Sequence, residues 1–221
     1  MMLMSPQMKK PHPFNISGLY AVTPNGYSTD LLCKQVEAAI QGGAKLVQYR
    51  NKTADANLQL RQASALLALC RSYQVPFVIN DHLDLCAQID ADGLHLGATD
   101  CDLGAARRLL GDDKIIGASC YNQLELALKA EQAGASYVAF GACFSSETKP
   151  YALQTPLSIF TEAKRKMAIP IVGIGGISLE NAASVLQAGA DAIAVVGALF
   201  NTSDIKETSK QFTHLFNTNS I

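Results

Sequence analysis

The chain has 221 residues, 48% of them apolar and 17% charged, with 18 basic against 19 acidic side chains and a formal net charge of −1. At ~150 residues per domain this is one large domain with a sizeable core, and the apolar content excludes global disorder. A nucleic-acid binder carries a basic excess, which is absent here, although the balance still allows a local basic pocket for a phosphorylated small molecule.

Residues 1–16 read as a loosely ordered arm: Pro6, Pro11 and Pro13 fall in it and no period is visible. The remainder, 17–221, reads as one catalytic domain. The start has no long apolar core of the kind a secretory leader needs. Toward the C-terminus the longest run of apolar residues and glycine, 192–200, covers nine residues, against ~20 for a membrane-spanning helix. The expectation is a cytoplasmic protein with no membrane and no nucleic-acid partner.

From residue 18 onward strands and helices alternate. The strand candidates are 18–23, 45–50, 77–80, 93–96, 115–118, 137–140, 171–173 and 191–196, eight in all. They are short and uniformly apolar, as in a parallel sheet buried on both faces. Between them, Ala63, Leu66, Leu67 and Cys70 follow the spacing of one helix face, as do Ala182, Val185, Leu186 and Gly189. Ser28, Thr53 and Ser178 are candidate N-caps, with Asp30, Asp55 and Glu180 in first turns. Three similar joints, Gln41-Gly-Gly-Ala44, Gln132-Ala-Gly-Ala135 and Gln187-Ala-Gly-Ala190, each precede a strand. A left-handed glycine there would stop the helix and turn the chain inward. Eight βα units in 221 residues leave roughly 28 residues each, which predicts a single (β/α)8 barrel. A doubly wound open sheet ranks second, since no G-x-G-x-x-G follows the first strand.

In such a barrel the active site gathers where the strands end. The second strand ends Gln48-Tyr-Arg-Asn-Lys52. Alternation points Gln48, Arg50 and Lys52 to one side, where Arg and Lys suit phosphate oxygens. The third strand ends in Asn80-Asp81, and Asp100 follows the fourth. Each aspartate is either a helix cap or, with its neighbour, a ligand to a Mg²⁺ shared with a polyphosphate. His95 lies within its strand and reads as a packed barrel residue. Ser119 can offer a hydroxyl, while Cys120, with no orienting histidine after it, reads as a wall residue. The six cysteines contain no C-x-x-C pair, which argues against a zinc site or redox dithiol. After the sixth strand, Ser145, Ser146, Thr148 and Lys149 suit phosphate, unless the segment is only a surface loop. The glycines of Ile171-Val-Gly-Ile-Gly-Gly-Ile177 and Val196-Gly197 suit a second phosphate held by backbone N–H groups, or else close helix–strand packing. Two anionic sites at one mouth point to a transferase joining two phosphorylated small molecules, with diphosphate leaving.

The set Gln48-x-Arg50-x-Lys52, Asn80-Asp81, Ala91-Asp-Gly-Leu-His-Leu-Gly97 with Asp100, Ser146-Glu-Thr-Lys149 and Gly173-Ile-Gly-Gly-Ile177 resembles, in order and spacing, the thiamine-phosphate synthase family. The resemblance covers roughly residues 18–200. It implies coupling of 4-amino-5-hydroxymethyl-2-methylpyrimidine diphosphate to 4-methyl-5-(2-phosphoethyl)thiazole, through a carbocation-like substitution. It implies that Gln48, Tyr49, Arg50, Asn51, Lys52, Asn80, Ser119 and Lys149 bind the pyrimidine diphosphate, with Arg50, Lys52, Ser119 and Lys149 catalytic. By the same resemblance, Asp81 and Asp100 hold one Mg²⁺. Ser146, Glu147, Thr148, Gly176, Val196 and Gly197 take the thiazole phosphate. Three positions depart from the family pattern: Ser146 for the common threonine, Gly197 for a frequent serine, and Tyr121 for a frequent histidine. A thiazole tautomerase on a similar barrel would want that histidine and no diphosphate clamp. A non-catalytic phosphate sensor would be expected to lose the carboxylates and the clamp. A homo-oligomer is compatible with the sequence.

Overall fold

The computed structural model describes residues 16–97, 100–145 and 154–218. Most of the expected N-terminal arm, residues 1–15, and the segment containing Ser146, Glu147, Thr148 and Lys149 lie outside those residues. Ile16, assigned to the arm by its sequence, is buried against the barrel interior.

Eight parallel strands close a barrel in chain order: β1 (Gly18–Val22), β2 (Leu46–Tyr49), β3 (Phe77–Asn80), β4 (Gly93–Leu96), β5 (Ile115–Tyr121), β6 (Tyr137–Phe140), β7 (Ile171–Ile174) and β8 (Ala192–Val195). β1 pairs with both β2 and β8, so no sheet edge is left open. The helices are α1 (Thr29–Gln41), α2 (Ala56–Ser72), α3 (Leu83–Ile89), α4 (Leu103–Leu110), α5 (Leu124–Gln132), α6 (Ser158–Lys166), α7 (Ala182–Gln187), α8 (Gly197–Phe200) and α9 (Ile205–Thr218). The expected (β/α)8 barrel is what the chain forms.

The strands bury both faces, as their uniform apolar composition requires. Tyr20, Val22, Leu46, Val78, Ile115, Tyr137, Ala139, Val172, Ala192 and Ala194 fill the inside. The alternate positions, among them Leu19, Val47, Phe77, Ile79, Leu94, Ile116, Val138 and Ile193, pack against the helices. The predicted face of α2, Ala63, Leu66, Leu67 and Cys70, is buried in that outer layer. At the three repeated joints Gly43, Gly134 and Gly189 have φ of 107°, 98° and 114°, the left-handed turn expected of them.

Capping differs in detail from the sequence expectation. Ser28 caps α1 as expected, but Asp55, not Thr53, caps α2 by accepting from the Leu58 N–H at 2.8 Å. Thr53 instead donates to Asn51 Oδ1, which also accepts the Thr53 and Ala54 amides and folds the loop into a turn that delays the helix. Ser178 does not cap α7: its amide donates to Asn181 Oδ1, and its hydroxyl is taken by Glu180. Asp102 caps α4, accepting from Ala105 N at 2.8 Å, so Asp100 does not.

One glycine decides what the interior can hold. Gly117 lies on β5 in register with Tyr137 of β6, and a Cβ at 117 would stand 2.1 Å from Tyr137 Cζ and 2.3 Å from its hydroxyl oxygen. The Tyr137 ring therefore occupies the space a side chain on β5 would fill. Gly117→Ala should destabilise the fold by about 1–3 kcal/mol through overpacking. Urea denaturation with an unchanged m-value reads this directly, and wild-type stability would show that the ring has room to move.

Candidate active site

β2 turns one face inward and the other toward α2. Tyr49 points outward, where its hydroxyl donates to Gln62 Oε1 at 2.9 Å. Asn51 Nδ2 donates to the same oxygen at 3.0 Å, and Gln62 Nε2 donates to Tyr27 O at 2.8 Å. Gln62 is fully buried, and this hub fixes the β2–α2 loop. The Tyr49 and Asn51 side chains are thus committed to α2, leaving their backbones to reach the mouth. Arg50 is anchored through its backbone, its N–H donating to Thr23 Oγ1 at 2.9 Å. Among the described residues its guanidinium makes no ion pair. Lys52 crosses to the end of β3 and pairs with Asp81 at 3.1 Å.

Asp81 sits at φ 63°, and its amide donates to His95 O at 2.9 Å, continuing the β3–β4 ladder one residue past the strand. It does not cap α3: the cap position is His82, whose side chain makes no cap bond. Asp100 folds back so that Oδ2 accepts from Gly97 N. Both aspartates are therefore free of the capping role that their positions allowed. Among the described residues no three His, Cys, Asp or Glu side chains cluster as a preformed metal cage. The donors at hand are hard carboxylate oxygens, and Asp81 already accepts a cation in the form of the Lys52 ammonium. Mg²⁺ needs only one or two carboxylates and completes its shell from phosphate and water, so this donor set fits it.

Inside the barrel Gln48 begins a chain of hydrogen bonds. Gln48 Nε2 donates to Tyr20 OH at 2.7 Å, and Tyr20 OH lies 2.8 Å from Tyr137 OH. Tyr137 OH lies 2.8 Å from His95 Nδ1, and His95 Nε2 lies 2.9 Å from Ser119 Oγ. Burial holds the His95 imidazole neutral, pulling its pKa down to about 4 against a weaker opposing pull from Asp100. Burial also pushes both phenols well above their ordinary range. Tyr20 and Tyr137 lie outside the expected site residues, because a tyrosine in an apolar strand looks like core. Their shared inward register is the signal that was available. Asn80, nearly buried, stands in register with His95 at the end of β3. Cys120 is buried, its thiol pushed up to about 12, as suits a wall residue.

Across the mouth, Gly175 and Gly176 have φ of 92° and 66°. A Cβ on Gly176 would meet the Phe144 and Ser145 carbonyl oxygens at 2.5 and 2.6 Å, so glycine lets the β7 loop dock against the β6 loop. Val196 precedes and Gly197 begins α8, a short helix with no counterpart among the expected elements. It stands after β8, where phosphate sites recur in this fold.

The family model for thiamine monophosphate synthase matches residues 19–199. This chain belongs to that family. It is 54% identical over 202 residues to the thiamine-phosphate synthase of Methylobacillus flagellatus, covering 91% of this chain and 96% of the relative. It is 50% identical over 201 residues to that of Nitrosomonas eutropha, covering 91% and 95%. Among solved structures, a thiamine phosphate pyrophosphorylase from Pyrococcus furiosus superposes with a TM-score of 0.82 at 32% identity, covering 92% of this chain and 97% of that one. The family member described here is an enzyme of the transferase class.

The neutral, buried histidine has a consequence for stability. With its pKa at about 4 in the fold and ~6.5 unfolded, His95 binds its proton in the unfolded chain first. Its contribution is complete above pH ~6.5 and is lost as pH falls toward 4, by roughly 3 kcal/mol in all. Denaturation at pH 7, 5.5 and 4.5 should show a flatter pH dependence for His95→Gln than for the wild type. Parallel curves would contradict a neutral His95.

Proposed function

We propose that this chain is a Mg²⁺-dependent thiamine-phosphate synthase, coupling 4-amino-5-hydroxymethyl-2-methylpyrimidine diphosphate to 4-methyl-5-(2-phosphoethyl)thiazole with release of diphosphate. The observation that carries the reading is a mouth with two unlike halves in a chain of this family. The ends of β2–β5 supply Arg50, Lys52, Asp81, Asp100 and Ser119, and the ends of β7 and β8 supply a glycine-rich backbone.

In this reading the first half binds the pyrimidine diphosphate. Arg50, Lys52 and Lys149 oppose the phosphate charge, while Gln48, Asn80 and Ser119 add polar contacts and Tyr49 and Asn51 contribute through their backbones. Asp81 and Asp100 would hold the Mg²⁺, which when bound neutralises the charge of the leaving diphosphate. Gly176, Val196 and Gly197 offer N–H groups to the thiazole phosphate, and the family resemblance assigns Ser146, Glu147 and Thr148 to the same ligand. The methylene–oxygen bond breaks with its electron pair passing to diphosphate, where Arg50 and Ser119 stabilise the growing charge. The exocyclic amine and ring of the pyrimidine delocalise the cation left behind, and the thiazole nitrogen lone pair closes the new C–N bond. That nitrogen carries no proton, so no general base is called for. A neutral His95 engaged by Tyr137 and Ser119, and a thiol at Cys120 held protonated, agree with this.

Thiamine phosphate formation from the two substrates, read as thiochrome fluorescence after oxidation, tests the proposal. Product should appear with Mg²⁺ and vanish with chelator. Arg50→Ala and Asp81→Ala should each lower turnover by roughly 100-fold or more with the fold intact, whereas Cys120→Ser should stay within a few-fold of wild type. Near-normal turnover in either of the first two would remove its assigned role. Undiminished turnover in chelator would remove the metal, and complete loss in folded Cys120→Ser would reopen covalent catalysis.

A further inference from the structure

We propose that Tyr137 is a positioning residue which, acting through His95, fixes the Ser119 hydroxyl as a hydrogen-bond donor to an anionic oxygen of the substrate at the β2–β5 mouth. The inference rests on reading that mouth as the pyrimidine diphosphate site.

The direction of the chain follows from counting protons. Gln48 Nε2 donates to Tyr20 OH, and among the described residues the only other polar partner of Tyr20 OH is Tyr137 OH. Tyr20 has one hydroxyl proton. If Tyr137 donated to Tyr20, Tyr20 would accept twice and its own proton would be left without an acceptor in the barrel interior. A buried donor is not left unpaired when the opposite arrangement pairs it. Tyr20 therefore donates to Tyr137, and Tyr137, with one proton and one remaining partner, donates to His95 Nδ1. The neutral ring then carries its proton on Nε2 and gives it to Ser119 Oγ. Among the described residues Ser119 Oγ has no other hydrogen-bond partner, so the serine proton is left for a ligand. In the reverse arrangement Ser119 would spend its proton on His95 and turn only lone pairs toward phosphate oxygens, which repel them.

The position of the phenol is built into the barrel independently of its hydrogen bonds. The glycine at 117 leaves the space that the Tyr137 ring fills. The His95 ring stacks on that ring, with centroids 5.6 Å apart at 22°, and Tyr20 meets its edge at 5.9 Å and 79°. Each ring is thereby held where its polar atom meets the next.

Nitrogen-15 NMR of histidine-labelled protein without substrate reads which nitrogen of His95 is protonated, with His95→Gln identifying the signal. The wild type should be protonated on Nε2, and Tyr20→Phe should keep that tautomer, because Tyr137 still donates to Nδ1. Tyr137→Phe should give mixed tautomers and lower kcat roughly tenfold or more, with the thiazole phosphate KM unchanged. In a Ser119→Ala background the same substitution should cost less than about twofold further, because its effect runs through that serine. A proton on Nδ1 in the wild type overturns the inference, as does a Tyr137→Phe loss that multiplies in full with Ser119→Ala. The wild-type spectrum decides the direction even if Tyr137→Phe fails to fold. An Nδ1 proton in a protein that makes thiamine phosphate would sink this inference alone. An Nε2 proton in a folded protein that makes none would sink the reading of the site instead.

Discussion

Closing eight parallel strands on one another removes water from the barrel interior, so each polar atom placed there must find its partner on a neighbouring strand. An unmatched buried donor or acceptor costs about 1–3 kcal/mol, a large share of what holds a domain together. The interior of this barrel nevertheless carries Tyr20, Gln48, Tyr137, His95 and, at the rim, Ser119. They are tolerated because β1, β2, β6, β4 and β5 each contribute a member to one connected chain. The glycine at 117 leaves room for the Tyr137 ring, and burial keeps the imidazole at 95 neutral.

The same closure assigns work to the two faces of β2. Outside, Gln62 gathers Tyr49, Asn51 and the Tyr27 carbonyl and so stiffens the loop that follows the strand. Inside and above, Gln48, Arg50 and Lys52 are left to the mouth. Lys52 reaches Asp81 across the β2–β3 seam, which brings a cation and a carboxylate from different strands into one part-exposed pair. In water such a pair contributes little to stability, of order 0–1 kcal/mol. In the proposed function, a phosphorylated ligand would draw these partners apart at small cost.

Much of this could be read in the sequence, because strand burial and helix termination leave local marks. Short uniformly apolar runs marked all eight strands, although β5 continues three residues past its expected end to Tyr121, and the Gln-x-Gly-Ala joints marked the left-handed glycines 43, 134 and 189. The mouth was legible because polar residues at the ends of buried strands have no place in a core. What the sequence concealed are choices made in three dimensions. Thr53 and Asp55 compete for one cap, and the winner depends on the turn built by Asn51. Asp81 and Asp100 sit where a cap would stand, and only the loop geometry shows Asp102 taking that role on α4 and no side chain taking it on α3. Tyr20 and Tyr137 lie 117 residues apart, and their hydroxyls meet only because β1 and β6 face each other across the closed barrel.

In the proposed function one barrel mouth holds two phosphate-bearing groups in two chemically different halves. A crystal structure with Mg²⁺, thiamine phosphate and diphosphate bound together tests it most directly. Diphosphate should lie between the ends of β2 and β5, within hydrogen-bond reach of Ser119 Oγ and Arg50, and the phosphate of thiamine phosphate should sit on the backbone at Gly176 and Gly197. Diphosphate lodged at the β7–β8 end, or both ligands bound away from the strand ends, would contradict it.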